Sequence, residues 1–295
     1  MASLAGQVVW ITGASAGIGA AVAEELARRG ATVVATARRA DALAALAARA
    51  PGVMPMEGDI TDAAAMTGIA DGIVAQHGRI DVALLNAGTY RPVLPAEFSP
   101  ELFRPHVEIN VMGTVNCIAA ALPHMLRRGA GRIAVVASVT GFASLPMASA
   151  YGASKAFLIS MCDSLRADLA GEGSGVQVTV VAPGFVRTDL TAQNDFEMPF
   201  VIEAPEAARI IADGLDAGDP EIAFPRRMSF AMKLVGRWLP GPLRRRYVAG
   251  HPERRDDRVP ARRVVPGTVD ERQQAHPGAR PRRRSRVRRR AIRAT

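Results

Sequence analysis

The chain has 295 residues, 48% of them hydrophobic, and a net charge of +9. This length allows one large α/β domain or two smaller ones, with ample apolar material for a core. Two cysteines, Cys117 and Cys162, lie in apolar helical patterns, which excludes a disulfide framework and predicts buried free thiols in a reducing, cytoplasmic setting. The five histidines show no paired spacing, so no metal site is expected.

Two apolar stretches resemble targeting or membrane segments. The N-terminus lacks a basic leading region and runs directly into a glycine motif, so we interpret it as a strand and not as a signal peptide. The least polar long stretch is Ile109–Leu126. It contains Asn110, Asn116, Pro123 and His124, which favour a buried helix over a membrane span.

The first predicted strand, Gln7–Ile11, is followed at once by the glycine-rich turn Thr12–Gly19 and by a helix. Strand, glycine turn and helix in this order predict a dinucleotide-binding turn. Gly13 permits the tight turn, Gly17 lets the backbone approach a pyrophosphate, and Gly19 allows close packing of helix on strand. The pyrophosphate would lie at the helix N-terminus, where unpaired N–H groups and the helix dipole attract an anion.

The second strand, Thr32–Ala37, ends at Arg38 and Arg39. In a dinucleotide fold this strand end faces the adenosine ribose, where a carboxylate binds the 2′-hydroxyl of NAD and an arginine binds the 2′-phosphate of NADP. Arg38 stands there without a carboxylate, so the sequence predicts NADP(H), with a further hydrogen bond from Ser15. Such a contact contributes roughly 1.5–3 kcal/mol. If both arginines are only solvated, NAD(H) remains the alternative.

Strands and helices go on alternating along the rest of the chain. We predict further strands over residues 53–56, 80–85, 132–137 and 176–182, and helices over residues 62–77, 106–127 and 151–170. This alternation predicts a Rossmann-type doubly wound parallel sheet in a single domain, residues 1–250, with ligands beyond the C-terminal strand ends. Asp59 and Asn86-Ala87-Gly88 fall at such ends. Asn110, on a mostly apolar helix face, either binds a water or braces the backbone.

Tyr151 and Lys155 stand out because both residue types are rare in this chain. Of the 37 basic residues only two are lysines, and there are only three tyrosines. Residues four apart share one face of a helix. Lys155 can therefore favour the phenolate form of Tyr151 and lower a pKa that is ordinarily about 10. The alternative is an exposed pair on an ordinary helix. Ser138, thirteen residues before Tyr151, follows the fifth strand.

These motifs, in this order, make residues 7–223 resemble the short-chain dehydrogenase/reductase family. The resemblance implies that Ser138 binds the substrate oxygen, that Tyr151 exchanges its proton, and that Lys155 lowers the pKa of Tyr151 and holds the nicotinamide ribose. It also implies that Asn110 holds a water linking Lys155 to solvent. The cofactor site implied by the resemblance, together with the Arg38 and Ser15 predictions, comprises Gly13, Ser15, Gly17, Ile18, Gly19, Arg38, Asp59, Ile60, Asn86, Ala87, Gly88, Tyr151, Lys155, Pro183, Gly184, Val186 and Thr188.

The family likeness implies an NADP(H)-dependent oxidoreductase that transfers a hydride between the nicotinamide and a ketone or secondary alcohol. Ala16 departs from many NADP-preferring members, which carry a basic residue there, so the cofactor prediction depends mainly on Arg38. An apolar segment, residues 189–202, would close over the substrate and favours a hydrophobic one; alternatively it packs on the core. The likeness also implies a homodimer or homotetramer joined through the helices over residues 106–127 and 151–170.

Two other functions remain open from the sequence. One is reduction of 3-oxoacyl thioesters, which a basic docking patch near Arg127, Arg128 or Arg166 would favour. The other is a catalytically silent dinucleotide-binding protein, against which the intact Ser138, Tyr151 and Lys155 argue.

Residues 226–239 predict an amphipathic helix. One side carries an apolar stripe and the other carries basic residues, a pattern typical of a helix on an anionic membrane surface or of a lid or subunit-contact helix. The stripe comprises Met228, Ala231, Met232, Val235 and Leu239, and the basic residues are Arg226, Lys233 and Arg237. Peripheral membrane contact is therefore one hypothesis for this segment.

The C-terminal tail, residues 251–295, carries the excess charge of the chain. It contains 15 arginines and 5 acidic residues, a net charge of +10, whereas the first 250 residues carry −1. With several prolines and almost no large apolar residues, it is predicted to be disordered, without a catalytic role. An out-of-frame C-terminus of a GC-rich gene would give the same composition. Nucleic-acid binding is not expected, because the tail has no aromatic residue for base stacking.

Overall fold

A seven-stranded parallel sheet organises the computed structural model, which describes residues 4–192, 194, 197–243 and 246. The strand order is β3-β2-β1-β4-β5-β6-β9, so the direction of strand addition reverses between β1 and β4. Ligands of open α/β sheets bind at such a reversal. The strands are β1 Val8–Thr12, β2 Thr32–Ala37, β3 Val53–Glu57, β4 Val82–Leu85, β5 Gly131–Val136, β6 Val176–Pro183 and β9 Glu221–Phe224, and a separate short pair comprises β7 Val186–Arg187 and β8 Ile202–Glu203.

Helices cover both faces of the sheet. One hydrophobic cluster joins the sheet to α1, α2 and α7, and a second joins it to α3, α5 and α6. The strands are almost continuously apolar because both of their faces are buried. The helices are α1 Gly17–Arg28, α2 Ala40–Arg49, α3 Ala63–His77, α4 Pro100–Pro105, α5 Thr114–Arg128, α6 Ser149–Gly171, α7 Ala204–Ala217 and α8 Arg226–Arg237, with a π-helical segment over His106–Gly113.

The structure confirms the predicted doubly wound parallel sheet and adds elements to it. The sequence predictions lacked α2, α7 and the edge strand β9. The predicted helix over residues 106–127 begins earlier, at Pro100, and contains the π-helical segment. All described residues belong to one compact unit. The predicted boundary near Gly250 and the predicted disordered tail, residues 251–295, lie outside the described residues.

The stretch Pro100–Arg128 is long and apolar enough, by length and composition, to cross a membrane, with a mean hydropathy of 1.3. Half of its most apolar window is buried inside the protein, and one such helix is weak evidence because core helices pass the same test. Its buried polar residues include Asn110 and Thr114. The structure therefore supports the predicted buried helix. The nearby Cys117 and Cys162 are buried free thiols, and burial raises the pKa of each to about 12.

Helix α8 turns its predicted apolar stripe toward the protein. Met232 and Val235 are buried against Val139, Ala143 and other residues that follow β5. The helix lies so close to this loop that a Cβ atom at Gly236 would clash with the carbonyl oxygen of Phe142. The stripe on which the membrane hypothesis depended is therefore a core contact, and its contact with a membrane is excluded.

Candidate active site

The glycine turn after β1 is fastened to the end of β4. Gly13 and Gly17 have φ values of +68° and +57°, which L side chains rarely adopt. A Cβ atom at Gly13 would stand 2.6 Å from Cα of Ala87. Asn86 fixes this approach, because its Nδ2 donates to the carbonyl oxygens of Thr12 (3.2 Å) and Gly13 (3.1 Å). The two strand ends at the reversal point therefore form one rigid corner.

Gly19 is the tightest point of this corner, because a Cβ atom there would clash with the carbonyl oxygen of Gly13 and stand 2.5 Å from Asn86 Nδ2. We expect Gly19→Ala to reduce the free energy of unfolding by about 1–3 kcal/mol and to weaken cofactor binding. The matched control is Gly68→Ala in α3, where no atom lies within 4 Å of the added methyl group. Chemical denaturation measures the free energy of unfolding, and cofactor titration measures the affinity. Equal values for the two variants would refute the close contact at Gly19.

A cavity of about 490 Å³ opens at the C-terminal ends of β1, β2 and β4. The N-cap of α1 is Ala16, which has no side-chain oxygen to accept hydrogen bonds from the first N–H groups of the helix. Those groups suit a phosphate. Eleven predicted cofactor residues line the cavity: Gly13, Ser15, Gly17, Ile18, Arg38, Asp59, Ile60, Asn86, Ala87, Gly88 and Thr188. The residues present therefore fit a dinucleotide.

Two arginines stand at the ribose end of this cavity. Arg38 and Arg39 both line it. Arg39 also donates from Nη2 to the carbonyl oxygen (3.2 Å) and to Oγ (3.3 Å) of Ser15. Asp59, at the predicted adenine position, uses Oδ1 to accept from the backbone N–H and hydroxyl of Thr61. The sequence prediction included Arg38 and Ser15 but not Arg39.

Ser138, Tyr151 and Lys155 come together around a second cavity of about 100 Å³, which also reaches Pro183, Gly184 and Val186. Ser138 follows β5, and Tyr151 lies in the first turn of α6. Ser138 Oγ donates to the carbonyl oxygen of Pro183 at 3.4 Å and accepts from the hydroxyl of Thr140 at 3.0 Å. Lys155 donates from Nζ to the carbonyl oxygen of Val136 at 2.8 Å, and its Nζ lies 5.6 Å from the centre of the Tyr151 ring. The alternative of an exposed pair is therefore excluded.

Burial dominates the electrostatics of this group. It raises the pKa of Tyr151 to about 12, although the nearby Ser138 hydroxyl acts to lower it. Burial also lowers the pKa of Lys155 to about 8. Desolvation of the phenolate therefore outweighs the predicted effect of Lys155, and the net pKa of Tyr151 is raised in this structure.

Asn110 lies behind the catalytic group in the π-helical segment. Its Oδ1 accepts from the backbone N–H of Thr89 (2.7 Å), and its Nδ2 donates to the carbonyl oxygen of Thr89 (3.0 Å) and to Ser154 Oγ (3.0 Å). These bonds support the alternative in which Asn110 braces the backbone. They position Gly88 and Thr89 beside the cofactor cavity, while the implied water-holding role stays a prediction.

The substrate side is a cavity of about 70 Å³ beside Ser138 and Tyr151. The edge of the Tyr90 ring meets the Tyr151 ring, with their centres 5.0 Å apart. Tyr90 was not predicted to be in the site, and no sequence signal placed it there. The predicted closing segment, residues 189–202, contributes part of the wall, although residues 193, 195 and 196 lie outside the described residues. The lining includes Leu145, Phe185, Leu190, Thr191, Asn194 and Met228.

The doubly wound sheet, the fastened glycine turn and the buried Ser138–Tyr151–Lys155 group define a dinucleotide-dependent oxidoreductase. Residues 7–198 match the family model of the short chain dehydrogenases. The chain accordingly belongs to the short-chain dehydrogenase/reductase family, whose members bind a nicotinamide cofactor and act on CH–OH or C=O groups.

Relatives and solved structures agree with this family. The chain is 38% identical over 247 residues to an uncharacterised oxidoreductase of Myxococcus xanthus, covering 82% of this chain and 96% of the relative. It is 34% identical to 11-beta-hydroxysteroid dehydrogenase-like 3 of Arabidopsis thaliana, covering 79% of this chain and 78% of the relative. A short-chain dehydrogenase/reductase from Burkholderia phymatum, solved in complex with NAD, has a TM-score of 0.71 and 25% identity, covering 79% of this chain and 94% of that one. A short-chain dehydrogenase from Streptomyces avermitilis has a TM-score of 0.69 and 30% identity, covering 78% and 91%.

Proposed function

We propose that the protein is an NADP(H)-dependent oxidoreductase that interconverts a hydrophobic ketone and its secondary alcohol. The observation that carries the cofactor preference is the pair Arg38 and Arg39 at the end of β2, both lining the dinucleotide cavity. Two guanidinium groups favour a 2′-phosphate, which NADP has and NAD lacks.

Kinetics with the two cofactors test this preference. We expect KM for NADPH to be at least about tenfold lower than KM for NADH, since one charge-assisted contact contributes roughly 1.5–3 kcal/mol. Arg38→Ala and Arg39→Ala should each raise KM for NADPH and leave KM for NADH nearly unchanged. Arg49→Ala, on the exposed end of α2 and paired with Glu24, is the control. Equal or better use of NADH by the parent protein would refute the preference.

Each side chain of the catalytic group has a separate role in the proposed reaction. When bound, the nicotinamide supplies or accepts the hydride. Ser138 donates a hydrogen bond to the substrate oxygen, on which negative charge develops during reduction. Tyr151 gives its phenolic proton to that oxygen, or takes it back in the oxidising direction. Lys155 holds its ammonium group beneath the ring of Tyr151 and stabilises the phenolate formed when the proton leaves.

The preference for a hydrophobic substrate is supported by the cavity wall. Leu145, Phe185, Leu190 and Met228 face the space beside Tyr151, and apolar walls favour ligands that bury apolar surface. A series of ketones and alcohols of increasing size, monitored by NADPH consumption or production, tests this proposal. Higher kcat/KM for small polar carbonyls than for lipophilic ones would contradict it.

The thioester alternative gains no support from the arginines that would favour it. Arg128 bonds Asp81 and Arg166 bonds Asp163, each at 2.7 Å, while Arg127 bonds His124. These basic groups are largely committed to partners within the chain, so we do not propose a carrier-protein docking patch there.

We also propose a cytoplasmic homo-oligomer joined through the stretch Pro100–Arg128 and α6. Exposed apolar side chains on these elements support it: Val107, Met112 and Phe157 are each more than 40% exposed. Light scattering of the full chain at several concentrations tests the oligomeric state.

A further inference from the structure

The outer face of α8 carries three large apolar side chains that no described part of the protein covers. Phe230 is 70% exposed, Leu234 45% and Trp238 74%. They are spaced four residues apart, so they form one stripe along the helix. We call these three residues the outer stripe. It is distinct from the buried stripe that was predicted from the sequence and lies about a third of a turn from it. The outer stripe forms one wall of an open cleft whose other walls include Phe142, Ile159 and Glu221.

Basic side chains share this outer face. Arg226 and Arg227 are exposed and lie four and three residues before Phe230, so they lie next to it on the helix surface. Lys233 is partly exposed, lies with its Nζ 4.9 Å from the centre of the Phe142 ring and forms an ion pair with Glu221. The two arginines at the start of the helix have no acidic partner among the described residues. The face therefore combines aromatic side chains with two arginines that pair with no described carboxylate.

This combination fits an anionic lipid surface better than it fits water. Trp and Phe side chains enter the boundary between headgroups and acyl chains, and Arg side chains pair with lipid phosphates. The sequence that follows the helix adds the same sign of charge, since residues 251–295 carry a net charge of +10. A basic segment that follows an amphipathic helix in the sequence adds electrostatic attraction to anionic membranes.

We propose that the outer face of α8 docks on an anionic lipid surface, with the outer stripe inserted between the lipids and with Arg226 and Arg227 on the phosphate groups. The same helix reaches the proposed substrate side of the enzyme, because Met228 on its inner side lines the cavity beside Tyr151. Delivery of a lipophilic substrate from the membrane would follow from docking, and this consequence alone depends on the proposed function.

Vesicle co-sedimentation of the full chain tests the docking without any activity measurement. The parent protein should sediment with vesicles of phosphatidylcholine and phosphatidylserine and remain in solution with vesicles of phosphatidylcholine alone. Phe230→Ser combined with Trp238→Ser should lower the bound fraction about tenfold or more, because two inserted aromatic side chains are lost. The matched control is Phe98→Ser, which removes a 65% exposed aromatic from another segment. We expect Phe98→Ser to bind like the parent.

Further measurements separate this proposal from its rivals. NADPH binding by the double variant, expected to be unchanged, shows that the variant is folded. A chain ending at Gly250 should bind anionic vesicles more weakly than the parent but more strongly than the double variant. The proposal is overturned if the tail alone accounts for binding, so that the double variant binds like the parent. It is also overturned if the parent protein does not bind the vesicles and the double variant has a lower oligomeric state than the parent. The outer stripe would then be a contact between copies of the chain.

Discussion

Replacement of Tyr151 by Phe is expected to lower kcat by about 10²–10⁴-fold, the usual contribution of a positioned proton donor. The substitution keeps the ring that packs on Tyr90 and removes only the hydroxyl, on a side chain that lines the same cavity as Ser138. Because the dinucleotide cavity lies mainly at the ends of β1, β2 and β4, we expect the dissociation constant of NADPH to change little. Steady-state kinetics and fluorescence titration with NADPH measure the two quantities.

Tyr90→Phe is the matched control for this substitution. It removes the same hydroxyl from the neighbouring ring, which lines the substrate cavity but lies outside the catalytic group. We expect its kcat to stay within about tenfold of the parent value. Comparable losses in the two variants, or substantial turnover by Tyr151→Phe, would remove Tyr151 from the role of proton donor.

Replacement of Lys155 by Met is expected to abolish turnover and, at neutral pH, to stabilise the fold. Burial lowers the pKa of Lys155 from 10.5 to about 8, which corresponds to roughly 3 kcal/mol of stability lost while the amine is charged. Loss of the hydrogen bond to Val136 offsets about 1 kcal/mol of the gain. Lys155→Met should therefore raise the free energy of unfolding at pH 7 by about 2 kcal/mol, as measured by chemical denaturation.

The pH dependence identifies the cause of this gain. Between pH 8 and pH 10.5 the unfolded parent chain still binds the Lys155 proton while the folded chain has released it. The free energy of unfolding contributed by Lys155 therefore rises with pH across this window. The advantage of Lys155→Met should shrink accordingly, and a constant advantage would mean that packing, not charge, is responsible.

The control uses the other lysine of the chain. Lys233 is partly exposed and paired with Glu221, so Lys233→Met should change the free energy of unfolding by less than about 1 kcal/mol. Measuring differences from the parent also cancels the titration of the buried thiols of Cys117 and Cys162, which both variants retain.

Much of the fold could be predicted because its signals are local. β1 and β4 are fully buried and mostly apolar, and each is followed by a glycine within three residues. Such runs predict a parallel sheet. β9 escaped prediction because Glu221–Phe224 is only four residues long and its burial alternates. The π-helical segment has no sequence marker either. Its register depends on the bonds of Asn110 with Thr89 and Ser154, which lie distant in the chain.

The site was predictable where a residue type alone implies its role, as for Ser138, Tyr151 and Lys155. Properties that depend on the surroundings were not. The sequence placed Lys155 near the Tyr151 hydroxyl but could not show that desolvation would outweigh its charge. Helix α8 gives the same lesson, because an apolar stripe has the same period whether it faces a membrane or the protein. Only packing against Val139 and Ala143 decided between them.

The contact between Gly236 and Phe142 also shows that the folded unit extends beyond the segment that the family model matches. The family model ends at residue 198, yet Met228 completes the substrate wall and Gly236 lets its helix rest on the loop after Ser138. A fragment cut at the end of the family match would keep the nucleotide turn but lose an edge strand and one side of the substrate cavity. The segment that the family model matches is thus shorter than the folded unit, and α8, which contributes Met228 to the cavity beside Tyr151, lies outside that match.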